Sequence, residues 1–399
     1  MNFLFSRIQN KLIAAFILVV VIPLLVVGIY SYQTTSNLLL QNEVDKKWQV
    51  GKSQSLQVVQ FLAKVMNDVL FWSHDKHLNE LVAARRGGNS EAIKKALTTI
   101  LEDFSGDMQK EGFYHKLRYI DENGQEVFTI LNDRHLIRSL AKNELQDKSD
   151  RYYFKETMKL DVSKVFVSYT DLEEEHGEIV VPHIPVVRYA TPIFYADGRR
   201  AGIIIATVEA AYVLSSVHLL PGEVGGHYLV DQDGYFLHHT DASKQWGRSL
   251  KKNITLKSEF PRIAEAVEQT GKAGAIILEN ELVAFSKFAL PGHSEMIWTI
   301  VSVHPMEQIM GPVNEFTLVF MILTAVALLG AIILAIVMAR GISSPVLHLA
   351  QVADQISRGD FETEIKAKSN DEIGQLAESV RRMRSSLEAA ISRLRKRKR

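Results

Sequence analysis

The chain has 399 residues, 46 Lys/Arg against 46 Asp/Glu, and no cysteine. That length leaves room for two or three domains, and the cysteine count excludes disulfides and thiol chemistry. The zero net charge hides an asymmetry: residues 340–399 hold 13 basic and 8 acidic side chains, while residues 33–315 hold 31 basic and 38 acidic.

Residues 1–11 read as a cytoplasmic N-terminus carrying Arg7 and Lys11 and no acid. Residues 12–32 form an apolar run, read as an uncleaved anchor. A cleaved secretory signal has a shorter apolar core that ends at a small-residue site, and Val26-Val27-Gly28-Ile29-Tyr30-Ser31-Tyr32 offers none. Pro23 lies inside this run, where neighbouring helices tolerate a kink. From residue 33 to 82 apolar residues such as Leu56, Val59, Leu62, Val65, Met66 and Val69 recur at helical spacing, which predicts one long helix. Arg85 to Asn89 reads as a turn and Glu91 to Phe104 as a second helix.

The period then changes to strands. Leu117–Ile120 faces Val127–Ile130 across Asp121-Glu122-Asn123-Gly124, and Tyr228–Val230 faces Tyr235–Leu237 across Asp231-Gln232-Asp233-Gly234. Both are hairpins with turn residues that tolerate positive φ. Each hairpin opens a mixed segment, so residues 83–220 and 221–310 read as a weak internal repeat. Further strands are predicted at Val165–Tyr169, Val186–Phe194 and Gly202–Val208, then at Ala275–Leu278, Leu282–Phe288 and Ile297–Val303. Lys257–Thr270 reads as the helix of the second unit.

Phe316 to Ala339 is apolar without a single charge. At ~1.5 Å per residue it is long enough for a hydrocarbon core of roughly 30 Å. Arg7, Lys11 and Arg340 flank the two runs, so the positive-inside rule places both termini in the cytoplasm and residues 33–315 outside. Beyond Arg340 the apolar residues alternate at 3 and 4: Ile342, Pro345, Leu349, Val352 and Ile356, then, after Gly359-Asp360, Ile373, Leu376, Val380, Met383, Leu387, Ala390 and Leu394. Such a narrow seam is what a coiled coil buries, and it implies a partner.

Residues 340–392 resemble a HAMP domain, the relay module of bacterial membrane receptors. Pro345, the connector Ile356-Ser357-Arg358-Gly359-Asp360-Phe361 and the helix start Asp371-Glu372-Ile373-Gly374 carry that resemblance. It implies a parallel four-helix homodimer that switches between two packings, with Pro345, Gly359, Asp360, Glu372 and Gly374 as relay residues. A long helix followed by two mixed units between two spans resembles the double Cache domain, whose two PAS-like sheets hang on an N-terminal helix. The implied fold is a membrane α+β protein: two transmembrane helices, a double Cache sensor over 33–315, and a HAMP parallel coiled coil.

Asp150-Arg151-Tyr152-Tyr153-Phe154 is similar to the Arg-x-Trp-Tyr ligand motif of that family. An arginine fork pairs with a carboxylate and aromatic faces supply walls. Arg151, Tyr153, Phe154 and Tyr169 are the resulting ligand candidates; the alternative has Tyr153 and Phe154 in the core and Arg151 as a surface cap. Thr207 stands where the motif closes with an aspartate that grips an amine, so the resemblance implies a small carboxylate or other polar metabolite rather than an amino acid. Arg188, mid-strand among apolar neighbours, either lines the same pocket or pairs with an acid on the sheet. His238 and His239 point to opposite faces of a strand, and His74 with His77 lacks a third ligand, so no metal or cofactor is expected. Asp171–Glu175 with His176 reads as a solvated acidic turn. The basic tail 393–399 reads as a frayed helix end or a contact to anionic lipid.

The chain contains no Gly-x-Gly-x-x-Gly, P-loop or Gly-x-Ser-x-Gly, and about sixty residues follow the second span. No catalytic activity and no nucleic-acid partner are expected. The partners implied are a small extracytoplasmic solute, a second copy of the chain, and a cytoplasmic kinase, cyclase or chemotaxis protein. The alternatives are the sensor part of a truncated kinase, cyclase or chemoreceptor, or a membrane tether without a ligand.

Overall fold

The computed structural model describes residues 8–133, 136–175, 177–217, 224–365 and 370–397. Arg7, His176, Lys398 and Arg399, which entered the expectations above, lie outside the described residues, as does the side chain of Leu394. The chain divides into two compact units, Leu39–Ile309 and Met1–Leu38 with Met310–Arg399.

Helix α1 spans Ile8–Ser73. Its buried residues Val58, Leu62, Val65, Val69 and Trp72 recur at 4, 3, 4 and 3, one face of a helix. The expected helix to residue 82 stops earlier, because Asp75 accepts a hydrogen bond from the Leu78 amide at 3.0 Å and starts α2, Lys76–Gly87. Gly88 in the left-handed region closes α2, and Asn89 caps α3, Ser90–Glu111. α3 buries Ala96, Ile100, Phe104 and Met108 on one face.

These helices cover one side of a sheet built from β1 (Tyr114–Asp121), β2 (Glu126–Asp133), β3 (Leu136–Ser139), β4 (Phe166–Val167), β5 (Asp171–Leu172), β8 (Pro185–Phe194) and β9 (Arg200–Glu209). Between β5 and β8 lies a small hairpin of β6 (Glu174–Glu175) and β7 (Glu178–Ile179). The main order is β3-β2-β1-β9-β8-β4, with β5 also paired to β8. Leu117, Tyr119, Ile204, Ala206, Val208, Val187 and Tyr189 face the helices and share their core. The short α4 (Tyr152–Thr157) covers the other face, where Tyr153 and Phe154 pack on Ile120, Ala190, Ile203 and Ile205. Gly202 has φ +132, and a side chain there would run into the Ile120 carbonyl of the paired strand.

The predicted strand Val165–Tyr169 pairs only at Phe166–Val167. The Ser168 amide still donates to the Arg188 carbonyl at 2.9 Å, but the Arg188 amide donates to the Ser168 hydroxyl at 2.9 Å in place of a strand carbonyl, and the regular ladder ends there.

After α5 (Ala210–Leu214), β10 (Gly226–Val230) and β11 (Phe236–His238) open a second sheet. The predicted helix 257–270 is broken into α6 (Leu256–Glu259) and α7 (Pro261–Gln269), because Pro261 cannot continue a helix and instead starts one. β12 (Ala273–Leu278), β13 (Glu281–Leu290) and β14 (His293–Pro305) complete the order β11-β10-β14-β13-β12. α1 serves both sheets: its core cluster takes in Leu229, Leu237, Trp298 and Ile300, and Gln54 meets His227 at 3.1 Å.

α8 spans Met306–Met338 and enters the other unit at Met310, where a π-helical turn covers Ala339–Ser343 and α9 runs from Ser344 to Ser357. α10 covers Glu372–Arg397. The N-terminal part of α1 and α8 are each long and apolar enough to cross a membrane, by length and composition. Gly28 leaves room for the Phe320 ring, which a side chain there would strike.

Candidate functional site

The face of the first sheet that meets α4 carries charge. Strand alternation puts Arg118 beside Ile120, Thr207 beside Ile205, and Arg188 beside Ala190 on that face. Register then aligns Lys116 with Thr207 and Thr207 with Arg188 across β1, β9 and β8. The Arg118 guanidinium donates to the Thr207 hydroxyl at 3.1 Å. Thr207 thus sits between cations and is fully buried.

Tyr153 is the centre of this cluster. The guanidinium carbons of Arg118, Arg151 and Arg188 stand 5.7, 5.8 and 5.7 Å from its ring centroid. Each distance is inside the range at which a cation is attracted to an aromatic face. Arg151 itself is the half-buried cap residue of α4 and pairs with Glu174 at 2.9 Å.

The acidic segment 171–175 is not a solvated turn. β5 pairs with β8 and hangs this segment over the cations. Arg188 donates to Asp171 at 2.6 Å and to Glu173 at 2.7 Å. Lys116 donates to the same Glu173 at 2.7 Å and also to Glu175, which Lys148 approaches at 3.9 Å. Arg118 faces Glu126 at 3.6 Å. Arg188 and Glu173 are each only 2% exposed. A charge buried so deeply persists only when paired, which is why the acids left the surface. Of the two roles open to Arg188, acid pairing is realised, and the same side chain also faces Tyr153.

Electrostatics follow from this packing. Burial pushes the Glu173 carboxyl up, but Arg188, Lys116 and Arg118 outweigh burial and hold it well below its usual range. Asp171 goes the other way: burial raises it by more than Arg188 lowers it. Arg188 is held firmly protonated by Asp171 and Glu173 against burial. The buried polar atoms without hydrogen-bond partners among the described residues include Arg118 Nε, Thr129 Oγ1 and Thr170 Oγ1. Arg118 and Thr129 are register partners on β1 and β2.

The other candidates are placed differently. Phe154 belongs to the apolar layer under α4. Tyr169 lies under the Arg248 guanidinium at 4.7 Å and lines a cavity of about 360 Å³ with Tyr152, Phe166, Gly292 and His293. That cavity lies where the tip of the β13–β14 hairpin meets α4 and β4. Just after β11, His239 is packed among Tyr228, Phe236 and Phe260, and burial with nearby Lys244 lowers its pKa. His74 and His77 engage the Leu70 carbonyl and Glu80 respectively. Among the described residues, acids and histidines form no metal-binding group.

Lys116, Arg118 and Glu173 escaped the sequence reading. On a strand, Lys116 and Arg118 look like the solvent face of a hairpin. The available signal was the pairing of two charge runs, basic in Lys116-Leu117-Arg118 with Arg188 and acidic in 171–175.

The relay residues form their own arrangement. Pro345 sits in the first turn of α9. Gly359 has φ +92, and Asp360 accepts from the Glu362 amide at 3.0 Å to shape the connector. Asp371 accepts from the Ile373 and Gly374 amides at the start of α10, beside Glu372. Leu349, Val352 and Ile356 pack on Ala377 and Val380 within one chain, while Leu376, Met383 and Leu387 are exposed.

Residues 59–301 match the family model of the bacterial histidine kinase sensor domain, and residues 337–389 match that of the HAMP domain. The sensor protein kinase WalK of Staphylococcus aureus is 26% identical over 160 residues, which cover 39% of this chain and 25% of that protein. The chain spans between 12% and 25% of the length of the first curated relatives it matches. A domain of a sensory box/GGDEF family protein from Vibrio parahaemolyticus superposes with a TM-score of 0.59 at 21% identity, over 68% of this chain and 99% of that one. The periplasmic sensory domain of the Campylobacter jejuni chemoreceptor Tlp1 gives 0.50 at 15% identity, over 69% and 99%. These structural likenesses establish the double Cache fold.

Proposed function

Because the chain belongs to the bacterial histidine kinase sensor-domain family and carries a HAMP domain after its sensor, we propose that it is a two-pass membrane receptor that detects a small solute outside and signals inside. The sensor takes the solute on the α4 face of its first sheet. A HAMP homodimer then passes the change to a cytoplasmic kinase, cyclase or chemotaxis partner. The role is signal transmission, not catalysis, since both matched domains are sensing and relay modules.

One observation carries the choice of site: buried Arg118 Nε, whose guanidinium stands over the ring of Tyr153, and Thr129 Oγ1 on its register partner are left without partners among the described residues. A buried polar atom without a partner costs about 1–3 kcal/mol, so a ligand that supplies one binds there with a matching gain. The cations are already neutralised by the chain's own acids. A small carboxylate therefore enters by exchange, replacing Asp171 or Glu173 at the arginines and adding contacts to the orphaned atoms. Ligand that prefers one state 100-fold shifts the balance by about 2.7 kcal/mol, enough to switch a marginal two-state bundle.

The full chain in nanodiscs, melted with a panel of small mono- and dicarboxylates, tests this. At least one member should raise the melting temperature, and Arg118→Gln should abolish the shift. If no carboxylate stabilises the protein, the reading falls.

A further inference from the structure

At the end of the same sheet that follows Lys116 and Thr207, three strand ends meet. β1 starts at Tyr114 where its antiparallel neighbours finish, β9 at Glu209 and β2 at Asp133. The register of β1 against β9 slips between Tyr114 and Lys116, so His115 sits in a bulge, a device that re-aims a side chain. His115 is 7% exposed, and its Nδ1 has no hydrogen-bond partner among the described residues. That atom lies 3.5 Å from Glu209 Oε1, too far and too poorly aligned to satisfy it. Residues 180–184 roof the place and enclose a cavity of about 480 Å³, within the range of small-molecule sites.

The chemistry of the lining is specific. Glu209 and Asp133 bring two carboxylates, and the described lining holds no lysine or arginine. An anion is therefore repelled here, in contrast to the cluster around Tyr153. Val181, Ile184 and the ring of Tyr212 form an apolar wall, and the Tyr212 hydroxyl is tied to the Gly112 carbonyl at 3.0 Å, which holds the ring in place. A bare metal ion does not suit the place, since the acids and histidine do not meet at ligand spacing. An organic cation with a short hydrocarbon body fits both halves. A primary ammonium has three N–H donors, and the lining offers acceptors in Glu209, Asp133 and His115 Nδ1, the last in the tautomer protonated on Nε2.

We propose that this cavity is a second solute site and that it takes a small primary alkylammonium ion. Its occupant bridges β1, β2 and β9 where these strand ends meet. The site stands whether or not a carboxylate binds near Tyr153, because no residue is shared.

The test is calorimetric titration of the full chain in nanodiscs with n-butylammonium chloride, with n-butanol and sodium butyrate as comparison probes. Butylammonium should bind at least tenfold tighter than either. Glu209→Gln should weaken it at least tenfold, and the exposed Asp133→Asn several-fold, while Arg151→Gln in the other cluster leaves it unchanged. Should Glu209→Gln fail to fold, Asp133→Asn decides alone. Equal binding of butanol, no heat with butylammonium at millimolar concentration, or full affinity in the Asp133 variant overturns the proposal.

Discussion

Arg188 Nη2 stands 2.7 Å from Glu173 Oε2, with side chains only 3% and 2% exposed. The two residues come from a central strand and from the segment that follows β5, and they join the sheet to the acidic cover over it. Neither charge has water to fall back on.

Removing one partner should therefore be costly. Glu173→Gln leaves Arg188 and Lys116 short of a counter-charge, and a broken buried pair costs about 3–5 kcal/mol. Urea unfolding of the sensor signal should show a loss of that size. Arg188→Met combined with Glu173→Leu should cost less than the two single changes added together, because it removes both charges. Strict additivity would mean that the pair is not coupled.

Acid should expose the same pair. Glu173 is held well below its ordinary value of 4.5 by Arg188, Lys116 and Arg118, despite burial. A depressed folded pKa contributes stability that is present above the unfolded value and lost as pH falls through the folded one. The deficit of Glu173→Gln relative to wild type should then shrink as pH is lowered from about 5. Asp171, raised by burial, has the opposite sign, and wild type should gain on Asp171→Asn over the same fall. Melting curves at a series of pH values distinguish the two slopes.

Dimerisation of the relay helices has a face. Leu376 is 46% exposed on α10, while Val380 is packed against α9 of its own chain. Cysteine at Leu376 should cross-link between subunits under mild oxidation, and cysteine at Val380 should do so poorly. The reverse order would place the intersubunit seam on the other side of α10.

The connector between α9 and α10 relies on one backbone state. Gly359 has φ +92, and a Cβ there meets nothing within 4 Å, so strain alone opposes a side chain. Gly359→Ala should cost about 1–2 kcal/mol locally. The expected sign is faster proteolytic cleavage of the connector and altered cross-linking of the Leu376 cysteine variant. Unchanged cleavage would show that the connector tolerates other conformations.

Much of this architecture was legible in the residues. Periods of 3.6, 2 and 3.5 are local properties of a chain, so the α1 helix, with Leu62, Val65 and Val69 on its buried face, both Asx-Gly hairpins and the coiled-coil seam could be read without a partner in view, although Leu56, read with them, is exposed. Breaks were less legible. Asp75 as a cap and Pro261 as a helix start are single-residue events inside otherwise continuous patterns. The seam was read as one stripe, yet folding divides it: Val380 is covered within the chain and Leu376 is not.

The site was legible only in fragments. Arg151, Tyr153, Arg188 and Thr207 were marked by type; Arg151 and Arg188 do face Tyr153, while Thr207 connects to it through Arg118, which was not marked. By itself the sequence determined two apolar spans, a sensor of two sheets and a relay helix pair, because backbone periodicity and apolar length are set by neighbours along the chain. Which acid neutralises which base, and so whether 171–175 faces water or Arg188, was decided only by tertiary structure. Charge pairing in a buried layer depends on strand register between segments dozens of residues apart, and no local pattern encodes it.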